Sequence, residues 1–271
     1  MDQEIVSLQN PRVKQWSQLL TKKGRDSQKK FMLEGNHLLI EALKAGIKLE
    51  TIIYDRNAGI PEELQPYIPE RGLERIAVSR EVLAKVADTK TPQPVMAAAH
   101  QLQVSSEVVL EDRERPYGMV VVVDGVQDPG NLGTIIRAAD AAGAGAVILG
   151  QGTVDLYNPK TIRATMGSLF HLPIVQAGPL PALLEKAAAR GVQIVSTSLS
   201  ASQSCYNIDF TVDTWIIVGN EGEGVSSEVS RWANQEVIIP IRGQAESLNV
   251  AMAATILLYE SLRQRELSNN N

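Results

Sequence analysis

Apolar positions along the chain fall into short runs separated by polar, glycine- or proline-bearing segments, and their spacing alternates between helical and extended. Residues 4–24 predict a mostly helical start, with Val13, Trp16, Leu19 and Leu20 as its stripe and Asn10-Pro11 interrupting it early. Phe31-Met-Leu33 reads as a short strand, and a helix follows from Leu38 to Ala45 with Gly46 as its C-cap. Leu49 to Tyr54 is the next strand, and proline turns follow at Pro61, Pro66 and Pro69. Ser79 then caps a helix through Val86, and Pro94 to Ala99 forms a further strand. These elements make a small α/β domain over residues 1–105.

A polar stretch at 106–116, with the charge run from Glu111 to Arg115, reads as a linker. Gly118 to Asp124 is then a continuous apolar run, the mark of a buried parallel strand. Helices are predicted at 130–142, 158–168, 181–190 and 248–263. Strands are predicted at 146–149, 174–175, 192–196, 214–218 and 236–240. Strand and helix alternate, so residues 117–271 form an α/β domain built on a parallel sheet covered on both faces.

Composition narrows the class. Aromatic residues are only 4% of the chain, so aliphatic side chains fill the cores. No apolar run has the ~18–20 residues of a membrane span, and the first residues lack the apolar stretch of a signal peptide. One cysteine, Cys205, excludes an internal disulfide, and three scattered histidines give no metal-ligand spacing. A cytoplasmic, metal-free protein is the expectation. The net charge of −5 argues against nucleic acid until the chain is divided. Residues 1–105 carry +2 and the rest −7, and the first 30 residues hold seven basic against three acidic side chains. Arg12, Lys14, Lys22, Lys23, Arg25, Lys29 and Lys30 could dock an anionic partner, or form a solvated helix face.

Three segments carry candidate chemistry. Asn131 to Arg137 and Ile239 to Ala251 each lead from a strand end into a helix, and Gly219 to Val225 is a glycine-rich turn after a strand. Open α/β sheets bind ligands at such ends. Gly143-Ala-Gly145 is no dinucleotide fingerprint, because it follows a helix and precedes a strand. No P-loop spacing occurs either. In the turn, glycines permit close backbone approach, while two glutamates disfavour a polyphosphate and tolerate a cationic ligand. Each segment also has an ordinary reading. Asn131 can cap a helix, Arg137 can pair with Asp140, and Ser247 can cap the last helix. Six helical steps turn the chain about 600°, so Asn131 and Arg137 do not share a helix face and can cooperate only if Asn131 sits in the loop just ahead of the helix.

Taken in order, the three segments resemble the SpoU (TrmH-like) branch of the SPOUT RNA 2′-O-ribose methyltransferases. The matching positions are Asn131, Gly133, Arg137 and Ala139; then Gly219, Asn220, Glu221, Gly222 and Gly224; then Ile239, Pro240, Ser247, Leu248, Asn249 and Ala251. Ala138 departs from the threonine or serine common there. Arg163 to Pro173 looks like the family's intervening segment. Asn10 to Lys14 and Phe31 to Gly35 look like its ribosomal-protein-like substrate-binding domain, so nearly the whole chain is covered.

The resemblance implies an α/β fold with a deep trefoil knot over roughly Ser196 to Ala254, and homodimers packed through the knotted domain and its last helix. It implies S-adenosylmethionine held at Thr197, Leu199, Gly219, Asn220, Gly224, Ile239, Ile241 and Leu248. It assigns catalysis to Arg137, Asn131, Glu221, Ser247 and Asn249, and RNA contacts to Arg163 and the N-terminal basic cluster. The family gives Arg137 the task of removing the hydroxyl proton. An arginine is normally always protonated, so the alternative is that Arg137 anchors an adjacent phosphate. Ribosomal RNA is favoured over transfer RNA because of the added N-terminal domain. A non-catalytic RNA-binding protein and a Rossmann-type small-molecule enzyme stay open as competing classes.

Overall fold

Two sheets organise the chain in the computed structural model, which describes residues 3–111 and 118–269. In the first unit the elements run β1 (Gln3–Ile5), α1 (Pro11–Gln18), α2 (Lys22–Gln28), β2 (Lys30–Glu34), α3 (Asn36–Lys44), β3 (Leu49–Asp55), β4 (Glu74–Val78), α4 (Arg80–Val86) and β5 (Val95–His100). The five strands lie in the order β1-β4-β3-β5-β2. β1, β4 and β3 are parallel, and β5 pairs antiparallel with β3 and β2. Val13 and Trp16 of α1 and Val82, Leu83 and Val86 of α4 cover one face, over Ile53, Ile76 and Met96.

The single helix expected over residues 4–24 is a strand and two helices. Ile5 pairs with Val78 at the sheet edge. Asn10-Pro11 starts α1 instead of interrupting it. The Asn10 side chain accepts from the Arg12 amide at 2.9 Å, and proline is tolerated in the first turn because its missing N–H has no helical partner. The turn into α2 needs Gly24, where a Cβ would lie 2.0 Å from the Gln18 carbonyl oxygen. β4 is not evident from the sequence because it is short and begins Glu74-Arg75, yet it buries Ile76 and Val78 between two parallel partners.

The second sequence half runs α5 (Ser106–Glu111), β6 (Met119–Val123), α6 (Pro129–Ala141), β7 (Ala146–Gly150), α7 (Pro159–Thr165), β8 (Ile174–Gly178), α8 (Pro181–Ala189), β9 (Gln193–Thr197), β10 (Gln203–Ser204), β11 (Thr214–Val218), α9 (Ser227–Ser230), β12 (Gln235–Ile238) and α10 (Val250–Asn269). Its seven strands are all parallel, in the order β10-β12-β9-β11-β6-β7-β8. α8 packs on one face over Val120, Val122, Ile148 and Ile217. α6 and α10 pack together, and α10 lies against β11.

Two boundaries differ from the contiguous division. The first part of the expected linker is the helix α5, whose Val109 and Leu110 pack on the apolar cluster under α8; residues 112–116 lie outside the described residues. The segment Asp155–Phe170, which contains α7, belongs to the first unit together with the chain up to Leu102. Tyr157 is buried against Phe31 with ring centroids 4.6 Å apart, and its hydroxyl donates to the Leu102 carbonyl at 3.0 Å. Burial pushes that phenol up to about 12, so it remains a donor. Among the described residues no helix is long and apolar enough to cross a membrane.

Candidate active site

Strand order reverses at β6: the chain proceeds outward through β7 and β8, then returns to lay β11 on the other side of β6. Crevices open at such reversals in parallel sheets. β6 and β11 end in register, Val123 beside Val218, so the loops after them leave the sheet side by side. Asn220 binds the two together, its Nδ2 donating to the Gly125 carbonyl at 2.9 Å. Its Oδ1 accepts from the amides of Gly222 at 2.8 Å and Glu223 at 3.1 Å, which curls the turn. The turn closes on a backbone pair between Asn220 and Gly224. Only glycine fits at 219, because a Cβ would come within 2.1 Å of the Gly224 carbonyl carbon.

The curled turn places Glu221 over the start of α6. Its carboxylate accepts from the Gln127 amide at 3.1 Å, the Asp128 amide at 3.0 Å and Asn131 Nδ2 at 3.0 Å. With Nδ2 engaged, Asn131 turns Oδ1 towards Asn249, whose Nδ2 donates to it at 3.0 Å. Asn249 in turn accepts from the Ala251 and Met252 amides, at 2.9 and 3.3 Å, and so caps α10. One directional chain of hydrogen bonds thus joins all three sequence segments. Burial alone would raise the Glu221 carboxyl, but the bonds from Asn131, Asp128, Gln127 and its own amide outweigh it and hold the group below the usual carboxylate range.

Beside this chain lies a cavity of about 790 Å³, in the range of small-molecule sites. Thr197, Leu199, Gly219, Asn220, Gly224, Ile239, Ile241 and Leu248 all line it, together with Glu221, Ser247 and Asn249. Leu199 is 65% exposed there and Leu248 is also exposed, so apolar surface faces the opening. Glu223, Glu236 and Glu246 line it too, which makes the walls acidic and suited to a cation. Sequence reasoning already had Glu223 as one of the turn's two glutamates, but it missed Glu236 and Glu246 as cavity residues, and it missed Asp128. The Asp128-Pro129 pair is a recognisable helix start, and the Asp128 side chain accepts from the Asn131 amide at 2.9 Å.

The ordinary readings of these residues change accordingly. Asp128, not Asn131, caps α6, and Asn249, not Ser247, caps α10, which begins at Val250 rather than Leu248. Asn131 sits inside α6, so Arg137 points to a different side of that helix. Arg137 is exposed and does not line the cavity. It does not pair with Asp140, which accepts instead from His171 Nδ1 at 2.8 Å.

In the first unit the basic cluster is largely engaged. Arg25 must be withdrawn from the RNA-contact set: it is 3% exposed and binds Asp155 through Nε at 2.9 Å and the Leu19 carbonyl at 2.8 Å. Arg12 grips Glu74 with both terminal nitrogens, Lys22 pairs with Asp26, Lys30 with Glu50, and Arg163 with Asp88. Lys14, Lys23 and Lys29 are exposed and make no ion pair among the described residues.

Comparison with known proteins agrees with this geometry. Residues 118–259 match the model of the SpoU rRNA Methylase family, and residues 10–97 match the MRM3-like substrate binding domain. The chain is 40% identical to the 23S rRNA (guanosine(2553)-2′-O)-methyltransferase RlmP of Bacillus subtilis, over 94% of this chain and 98% of that protein. It is 31% identical to a 23S rRNA (uridine(2479)-2′-O)-methyltransferase of Streptomyces viridochromogenes, over 96% and 92%. The crystal structure of an AdoMet-bound rRNA methyltransferase from Sinorhizobium meliloti superposes with a TM-score of 0.85 at 38% identity, covering 96% of this chain and 97% of that one. A cavity at the strand reversal, three motif segments joined by one hydrogen-bonded chain and similarity along nearly the whole length lead to one conclusion: this chain belongs to the SpoU rRNA methylase family.

Proposed function

We propose that the protein is an S-adenosylmethionine-dependent methyltransferase acting on a ribose 2′-hydroxyl of RNA, with 23S ribosomal RNA as the substrate class. The observation that carries this reading is the Glu221–Asn131–Asn249 chain set against an acidic, half-apolar cavity. The residues fit the cofactor. Glycines bring backbone within reach, Leu199 and Leu248 offer surface to an adenine, and four glutamates suit a sulfonium and an ammonium. Bound there, the cofactor supplies an electrophilic methyl group.

The chain's own residues align the acceptor. Asn131 and Asn249 hold fixed amide orientations and, with Ser247, orient the ribose. Arg137 grips an RNA phosphate beside the target nucleotide. Relatives named for guanosine and for uridine both match along nearly the whole chain, so base choice is a matter of local differences and not of the shared fold.

The finer architecture belongs to the same proposal. The chain over roughly Ser196 to Ala254 forms a trefoil knot, a reading supported by β12 lying between β10 and β9. Two copies pair through the knotted domain and α10, supported by exposed Met252 and Tyr259, which sit seven residues apart on one face of that helix. The first unit binds RNA in the cytoplasm through Lys14, Lys23 and Lys29. Calorimetry with S-adenosylmethionine and its demethylated product tests the cavity, and mapping 2′-O-methyl groups in ribosomal RNA with and without the gene tests the reaction. No heat at millimolar ligand from folded protein would sink the cofactor assignment.

A further inference from the structure

Arg137 and Asp140 stand three residues apart on α6, a spacing at which an arginine and an aspartate ordinarily pair. They do not pair here. The Asp140 carboxylate accepts from His171 Nδ1 at 2.8 Å, with the imidazole 37% and the carboxylate 27% exposed. His171 is held in place by its neighbours: Leu172 is buried, and the Pro173 carbonyl accepts from the Val147 amide at 3.0 Å as the chain enters β8. The imidazole therefore meets α6 from the turn that leads into β8. Arg137, one turn earlier on that helix, makes no hydrogen bond or ion pair among the described residues.

We propose that His171 is a positioning residue: by occupying the Asp140 carboxylate it keeps that group from pairing with Arg137, and so leaves the guanidinium available to an RNA phosphate. The proposal rests on the assignment of Arg137 to RNA. The physical basis is competition for one acceptor. A carboxylate held by a nearby N–H from an anchored turn has less to gain from a flexible arginine. A carboxylate released from it becomes a local counter-ion that the incoming phosphate must displace. Asp140 is thus neutral to the reaction while His171 is present and inhibitory when it is absent.

The test is a cycle of variants in the full-length protein, assayed for methyl transfer to an unmodified 23S rRNA transcript, with cofactor affinity measured as a check on folding. His171→Ala is expected to raise KM for RNA about two- to fivefold, the range of a surface ion pair, with cofactor affinity unchanged. His171→Asn keeps a donor near the Nδ1 position and should stay close to the parent. Asp140→Asn alone should also stay close to it. The double variant His171→Ala with Asp140→Asn should recover the KM of Asp140→Asn. A role in merely pinning the turn before β8 to the helix predicts the opposite, since removing the second partner cannot restore it. The inference is overturned if His171→Ala leaves KM unchanged, if the double variant is as impaired as His171→Ala, or if Asp140→Asn alone is equally impaired. If Arg137→Ala turns over normally, the assignment of Arg137 falls first and this inference with it. Loss in His171→Ala with Arg137→Ala already inactive, and recovery in the double variant, supports both.

Discussion

Four of the seven basic side chains between Arg12 and Lys30 are bound to acidic partners, whereas the motif residues of the second unit bind one another and leave a cavity beside them. The first group stands out by charge and the second by the order of residues at strand ends. Charge counts do not say where a side chain's partner is. Arg25 finds Asp155 130 residues away, and no local pattern announces that pairing. Residues at parallel strand ends are gathered by the sheet itself, so their convergence follows from topology.

The largest effect that would break this contrast is on stability. Arg25→Ala should cost about 3 kcal/mol, because it leaves the Asp155 carboxylate, only 11% exposed, without its cation. Denaturant titration reads the loss, and an unchanged midpoint would return Arg25 to the surface. Next comes Arg137→Ala, expected to cut methyl transfer at least ~100-fold, about 2.7 kcal/mol, while calorimetry shows cofactor affinity intact.

Glu221 gives a smaller, pH-dependent effect. Its folded-state pKa is depressed, so its contribution is fully present above its ordinary value of 4.5 and is lost as pH falls through the lower folded value. Cofactor affinity should therefore hold from neutral pH down to about that ordinary value and fall below it. Glu221→Gln should weaken binding at neutral pH and remove the acid limb, and an acid limb that survived the substitution would assign the titration to another group.

Reversing charge at Lys14, Lys23 and Lys29 should weaken RNA binding and flatten its salt dependence, by about 0.7–0.9 in log–log slope for each phosphate no longer neutralised. Filter binding across a salt series decides it. Smallest of all, Lys22→Ala should change stability by no more than ~0.5 kcal/mol, because Lys22 and Asp26 form an exposed pair one turn apart.

Much of the site was legible because strands such as Met119–Val123 and Thr214–Val218 are unbroken apolar runs whose ends can be read directly. The cavity residues follow from those ends and from family resemblance. What escaped was non-local or conditional. β1 and β4 are short and polar at their exposed positions, and they become strands only by pairing with each other and with β3. The capping role of Asn249 was hidden because Ser247 is an equally good cap by composition. The Asp140–His171 pair depends on where β8 begins, which helical spacing along α6 cannot reveal.

The membership of Asp155–Phe170 in the first unit changes what it means to separate the two halves. Deleting residues 1–105 would leave this segment behind without Phe31 to cover Tyr157, without Leu102 to receive its hydroxyl, and without Arg25 to neutralise Asp155. Apolar side chains and a carboxylate made for an interior would then face water, an invitation to aggregate. A shortened protein meant to report on the cofactor cavity alone has to lose both pieces. Residues 155–170 fall inside the span matched by the SpoU family model and yet pack with the first unit, so one cut in the chain does not separate the two units.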